Sequence, residues 1–219
     1  MRELQFCAAK PACNCKERKL SLRESHGQKM TLYEQISAYV PTCAQEEEDK
    51  AQMLSFLLHG ETPFLRENRA GHFTASSWIV THDRTRCLMI YHNLYRSWSW
   101  TGGHADGETD LRAVALREAE EETGLSGLHV CPVGKGEILS LEILTVDGHE
   151  KRGRYVPSHL HYNVTYLLEA DPDAPLRIKP DENAGVQWFA QEEALRACSE
   201  PWMAERIYKK LISASLAYR

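Results

Sequence analysis

Apolar and polar positions along the chain follow two periods in turn, and the switches between them outline the elements. From Thr31 to His59 apolar residues recur every three or four positions in TLYEQISAY and AQEEEDKAQMLSFLLH, which predicts two helices separated by Pro41 and stopped by Gly60. Such a hairpin needs an apolar partner surface. After a loop through Arg66, runs with strand character occur at 72–81 (HFTASSWIVT), 87–92 (CLMIYH) and 96–100 (RSWSW). Helical spacing returns at about 110–123. Beyond it strands are predicted at 128–133, 137–146, 159–169 and 186–190, then helices at 191–198 and 200–216. The alternation in HYNVTYLL marks a half-buried strand. The Pro- and Asp-rich stretch 170–180 (ADPDAPLRIKP) reads as a loop. This order predicts an α/β fold, a mixed sheet between helices.

The central helix carries the sharpest signal. Leu111, Val114, Ala115 and Glu118 share one stripe that begins apolar and turns acidic, with Glu121 and Glu122 at i+3 and i+4 from Glu118. Like charges at that spacing repel by about 0.2–0.5 kcal/mol per pair. Thr109 or Asp110 can cap the first turn and Gly124 can end the last, so the acids sit where the helix dipole adds about 0.3–1 kcal/mol against each. A divalent cation removes this penalty. Taken alone, EAEEE would be a solvated face with Arg117 paired to Glu120 or Glu121. Gly102, Gly103 and Gly107 upstream instead let a loop fold tightly towards the acidic end.

The stretch GGHADGETDLRAVALREAEEETGL resembles the signature of the Nudix hydrolases, G-x5-E-x7-R-E-U-x-E-E-x-G-U with U aliphatic. It matches at Gly103, Arg117, Glu118, Glu121, Glu122, Gly124 and Leu125 and keeps the length of 23 residues. The family's first glutamate falls on Thr109, flanked by Glu108 and Asp110, and the U after Glu118 is the small Ala119. The GGHADG loop and the ASSWIV strand look like an uncharacterised bacterial subgroup. The resemblance covers roughly 70–195. It implies an α/β/α sandwich, Mg2+ or Mn2+ held by Glu118, Glu121 and Glu122, and Arg117 orienting the cluster through a carboxylate hydrogen bond. It also implies phosphoanhydride hydrolysis of a nucleoside diphosphate linked to another moiety, with nucleoside triphosphates as the nearest variant. The general base is expected on a motif glutamate or on Glu182 in KPDENAGVQWF, which could equally bridge metal.

Composition narrows the partners. With 42% hydrophobic and 26% charged residues the chain is ordinary for a globular protein, and its net charge of −5 argues against a generic nucleic-acid surface. Small nucleotide-type ligands fit. No apolar run reaches membrane length and no signal-peptide core is visible, so a cytoplasmic address and no membrane partner are expected, with a homodimer as an allowed assembly. The organisation expected is a basic tail at 1–29, a helical hairpin at 30–66 and the hydrolase domain at 67–219. Met30 is a candidate natural start. Seven cysteines at scattered positions suit reduced thiols, and Cys7, Cys13, Cys15 and His26 form only an irregular candidate zinc set.

His72, His92, His104, His159 and His161 all fall in predicted strands or the glycine loop. His104 could meet substrate phosphates beside Gly103 or, with His159 and His161, hold a second metal. Tyr95, Trp98 and Trp100 could stack on a base or fill the core. Two other functions remain open: an isopentenyl-diphosphate isomerase-like enzyme, which needs an active-site cysteine such as Cys87, and a non-catalytic nucleotide-binding module.

Overall fold

The computed structural model describes residues 30–151 and 153–218. The tail at 1–29, and with it the candidate zinc set of Cys7, Cys13, Cys15 and His26, lies outside the described residues. The chain opens with helices α1 (Leu32–Ala38) and α2 (Ala44–His59), then strands β1 (Gly71–Val80), β2 (Arg86–His92), β3 (Ser97–Ser99) and β4 (Thr101–His104). Helix α3 (Leu111–Thr123) follows, then β5 (His129–Val130), β6 (Ile138–Val146), β7 (His149–Lys151), β8 (Arg154–Val156), β9 (His159–Glu169) and β10 (Asn183–Ala190). The chain closes with α4 (Gln191–Ala197), a π-helical stretch Met203–Tyr208 and α5 (Lys209–Ala217).

Eight strands form one mixed sheet, with the path β10-β2-β1-β9-β5 and with β3, β4 and β6 paired to β2, β1 and β9. Its centre is the parallel pair β1 and β9, in register from Gly71 opposite Leu160 to Val80 opposite Glu169. The side-chain period of two then divides β1 between two cores. Phe73, Ala75 and Ile79 face Leu32, Ile36 and Met53 of α1 and α2 and Leu111, Val114 and Ala115 of α3. Trp78 and Val80 face the other way, onto Ala194, Ile207, Tyr208 and Leu211. The result is an α/β/α sandwich. The hairpin's apolar partner is thus the same sheet face that receives α3.

The structure departs from the predicted elements at several points. The glycine segment forms strand β4, pairing Thr101–His104 with Ser77–Thr74. A Cβ on Gly102 would stand 2.5 Å from Ser76 Oγ and 2.7 Å from the Ala75 carbonyl, so glycine serves a close strand approach here rather than a flexible loop. The β7/β8 hairpin had no apolar pattern to announce it. Helix 200–216 is interrupted by the π-helical stretch.

One polar group is buried between α2, β6 and α5. Lys210 Nζ lies 3.1 Å from both Glu46 Oε1 and Glu142 Oε1. The Ser140 hydroxyl donates to Glu46 at 2.8 Å and also contacts Glu142, whose other oxygen accepts from Asn163 Nδ2 at 3.1 Å and Thr165 at 2.9 Å. Burial pushes the Glu46 carboxyl up, but the Lys210 charge and bonds from Thr42 and Ser140 hold it below its ordinary value. Among the described residues no helix is long and apolar enough to cross a membrane.

Candidate active site

Helix α3 begins at Asp110, whose carboxylate accepts from the Ala113 N–H at 3.4 Å, and ends at Gly124 with φ +76°. Glu108, beside the signature position taken by Thr109, accepts from the Asp110 N–H at 2.8 Å and so steadies the helix entry. The loop before it is tied down from outside. Asp106 makes a two-point pair with Arg66, at 2.5 and 2.6 Å, and the Gly107 N–H donates to the Phe64 carbonyl.

The three glutamates meet different surroundings. Glu122 is 3% exposed, accepts a 2.9 Å bond from the Gly102 N–H, and lines a cleft with Thr74, Ser76, His104 and Asn163. Burial first, and then the charges of Glu182 and Glu118, raise its carboxyl to about 8 despite that bond. Glu118 is also raised, chiefly by burial, against the opposing effect of Arg117, whose Nη2 lies 3.0 Å from Glu118 Oε1. A Cβ on Gly103 would stand 2.4 Å from Glu118 Cδ, so the glycine leaves the room that this carboxylate occupies. Glu121 points elsewhere: its carboxylate lies 2.7 Å from Lys179 Nζ, which also reaches Glu182 at 2.9 Å.

Lys179 and the segment around it carry no obvious sequence signal, yet they close the end of α3. The Arg177 N–H donates to the Thr123 carbonyl at 2.7 Å and Asn183 Nδ2 to the Glu122 carbonyl at 2.9 Å, satisfying groups that a helix terminus leaves open. Partial burial lowers the Lys179 ammonium, but Glu121 and Glu182 outweigh it and hold it above its ordinary value. The 170–180 loop therefore returns to the acidic helix end and brings Glu182 with it.

On the sheet face opposite α3, His72 of β1, His104 of β4, and His159 and His161 of β9 converge, with one ring nitrogen of each within 4.8 Å of the others. Among the described residues this is the group of metal-ligating side chains that gathers so closely. Burial, with the neighbouring His72 and His159 rings, lowers His161 to about 3, and burial likewise lowers His72. His104 and His161 form part of the wall between the Glu122 cleft, of about 180 Å³, and a second of about 340 Å³ that contains Arg66, Arg69 and Arg154. Tyr95 borders both clefts and stacks on His92 at 4.3 Å, whereas Trp98 packs edge-on against Phe189 and Trp100 is 8% exposed. Cys87 sits fully buried in the core and burial lifts its thiol to about 12, which leaves it far from the reactive, exposed thiolate an isomerase reading needs.

The model of the NUDIX domain matches residues 71–211, well over half of the chain. The chain belongs to the NUDIX family. Family membership makes this protein a hydrolase of that type, and the matched span runs from β1 into α5. Similar solved structures include an Ap4A hydrolase from C. elegans, 21% identical over 66% of this chain and 97% of that one, TM-score 0.44. Others are the E. coli dihydroneopterin triphosphate pyrophosphohydrolase, 14% identical over 64% and 94%, TM-score 0.47, and a UDP-X diphosphatase, 18% identical over 79% and 72%, TM-score 0.49. No curated protein sequence matches significantly.

Proposed function

We propose that this NUDIX hydrolase is a Mg2+- or Mn2+-dependent pyrophosphohydrolase of a nucleoside diphosphate linked to another moiety. The observation that carries the reading is Glu122, a carboxylate buried at the wall of a cleft and raised to about 8, with Glu118 raised beside it. An all-oxygen donor set of this kind suits a hard divalent ion, and a cation there would relieve the desolvation that holds Glu122 protonated. When bound, the ion supplies the positive charge that neutralises diphosphate oxygens.

The chain's own residues do the rest. Glu118 and Glu122 would hold the ion, and Glu121 would complete the set. Arg117 keeps Glu118 oriented. Glu182 is the proposed general base, positioned by Lys179 to take a proton from the attacking water. The Gly103 backbone approaches the phosphates, and the arginine-lined cleft beyond the histidines accepts the second, anionic half of the substrate. The substrate is a small molecule and neither nucleic acid nor membrane is required.

A phosphate-release screen with Mg2+ over nucleoside diphosphate sugars, dinucleotides, ADP-ribose and nucleoside triphosphates tests this reading. Turnover of a diphosphate-linked nucleotide, abolished in a folded Glu121→Gln variant, is the expected result. Absence of turnover with every substrate would favour a nucleotide-binding module, and full activity of Glu121→Gln would remove that residue from the metal site.

A further inference from the structure

The four histidines are separate from the carboxylates in both chemistry and place. Three neighbouring strands bring them together: the parallel register sets His72 of β1 directly opposite His161 of β9, while β4 sets His104 opposite Thr74, two residues along β1. His159 precedes His161 by two and so shares its face. Five of the six ring pairs have centroids 4.8–5.1 Å apart.

Hydrogen bonds on two of the rings fix which nitrogens face inward. His72 Nδ1 lies 3.2 Å from the Asn68 carbonyl and His159 Nδ1 2.9 Å from the Pro157 carbonyl. A carbonyl only accepts, so in both rings Nδ1 carries the proton and Nε2 presents a lone pair. This is the outer support that metal-bound histidines use. His72 is 4% exposed, and its Nε2 has no hydrogen-bond partner among the described residues. The His159 and His161 Nε2 atoms lie 3.1 Å apart. Zinc–nitrogen bonds of about 2.0–2.1 Å give a tetrahedral edge of about 3.3–3.4 Å, so this pair already stands near the spacing of two zinc ligands. Drawing in the wider pairs takes roughly 1.5 Å, within reach of small side-chain rotations.

We propose that His72, His104, His159 and His161 form a zinc site, tetrahedral and all-nitrogen, independent of the carboxylate cluster. Imidazole favours zinc and its transition-metal neighbours over magnesium, so the two sites select different ions. Four protein ligands leave no open position, which makes the zinc structural. It fastens β4, the strand that carries Gly102 and Gly103, to β1 and β9, and it forms the partition between the two clefts.

The test uses the full chain, stripped of metal and then supplied with zinc or cobalt alone. One zinc per chain should survive dialysis and be lost in both His72→Gln and His161→Gln. Free zinc a thousandfold above Kd should raise Tm by roughly 8–16 °C, from the usual 2–4 °C per kcal/mol for a domain of this size. Cobalt should give tetrahedral d–d bands without thiolate charge transfer. Zinc that is not retained, zinc retained equally by both variants, or a thiolate band pointing to the tail cysteines would each overturn the proposal. Should the variants fail to fold, an unchanged Tm of the parent chain on adding zinc would overturn it as well. None of these readouts depends on hydrolase activity.

Discussion

Replacing Gly103 by alanine should displace one carboxylate while leaving the fold intact. The three atoms nearest to the added Cβ are Glu118 Cδ at 2.4 Å, Cγ at 2.7 Å and Oε1 at 2.7 Å, all of one side chain. Ordinary carbon contacts sit at about 3.5–4.0 Å, so Glu118 must retreat by about 1 Å. Overpacking of this kind costs about 1–3 kcal/mol, or roughly 2–12 °C in Tm. Reduced entropy of the unfolded chain offsets about 0.4–1 kcal/mol of it. A double-mutant cycle with Glu118→Ala isolates the cause, because that variant removes all three atoms. In the Glu118→Ala background the same glycine replacement should become neutral or slightly stabilising, as measured by urea unfolding. Mg2+-dependent turnover of Gly103→Ala should fall about a hundredfold, since 1 Å of misplacement suffices for that. An equal stability loss in both backgrounds would place the strain in the β4–β1 ladder and refute the argument, as would unaltered turnover.

Glu122→Gln tests the buried carboxyl by pH. The folded chain keeps a proton that the unfolded chain releases between about pH 4.5 and 8, so parent stability in metal-free buffer should fall as pH rises through that window, by up to about 1.4 kcal/mol per unit. The glutamine variant lacks the fall, so its Tm curve should diverge upward from the parent's until about pH 8 and Mg2+ should narrow the gap; a gap independent of pH contradicts the assignment. Lys179→Ala frees Glu121 and Glu182 of their ammonium, and Mg2+ half-saturation should drop roughly two- to fivefold while kcat declines, on the scale of a partly exposed ion pair. Lys210→Met leaves Glu46 and Glu142 without their cation and should cost about 3–5 kcal/mol in urea unfolding; a loss below 1 kcal/mol would mean that the two acids are neutral in the fold.

The acidic helix was legible because its limits are local: Asp110 and Gly124 cap it within the segment itself, and the apolar stripe from Leu111 to Ala115 orients it on the sheet. The pairing of Lys179 with Glu121 was not, since 58 residues separate them and only the return of the 170–180 loop brings them together. His159 and His161 announce a shared face by their spacing, but His72 joins them through a parallel register that no local pattern encodes. In sequence the glycines of β4 suggest freedom of the backbone, whereas the fold uses their lack of a side chain. In each case the missed information lies in distances between segments.

Lys210 follows Glu142 by 68 residues and Glu46 by 164, and the two acids it neutralises belong to β6 and α2. During synthesis both acids therefore emerge long before their counter-charge. Until α5 clears the ribosome, that part of the interior cannot close around an ion pair, and a nascent chain stalled just short of α5 holds two carboxylates that still favour water. The order of translation thus withholds that locking step until α5 has been made.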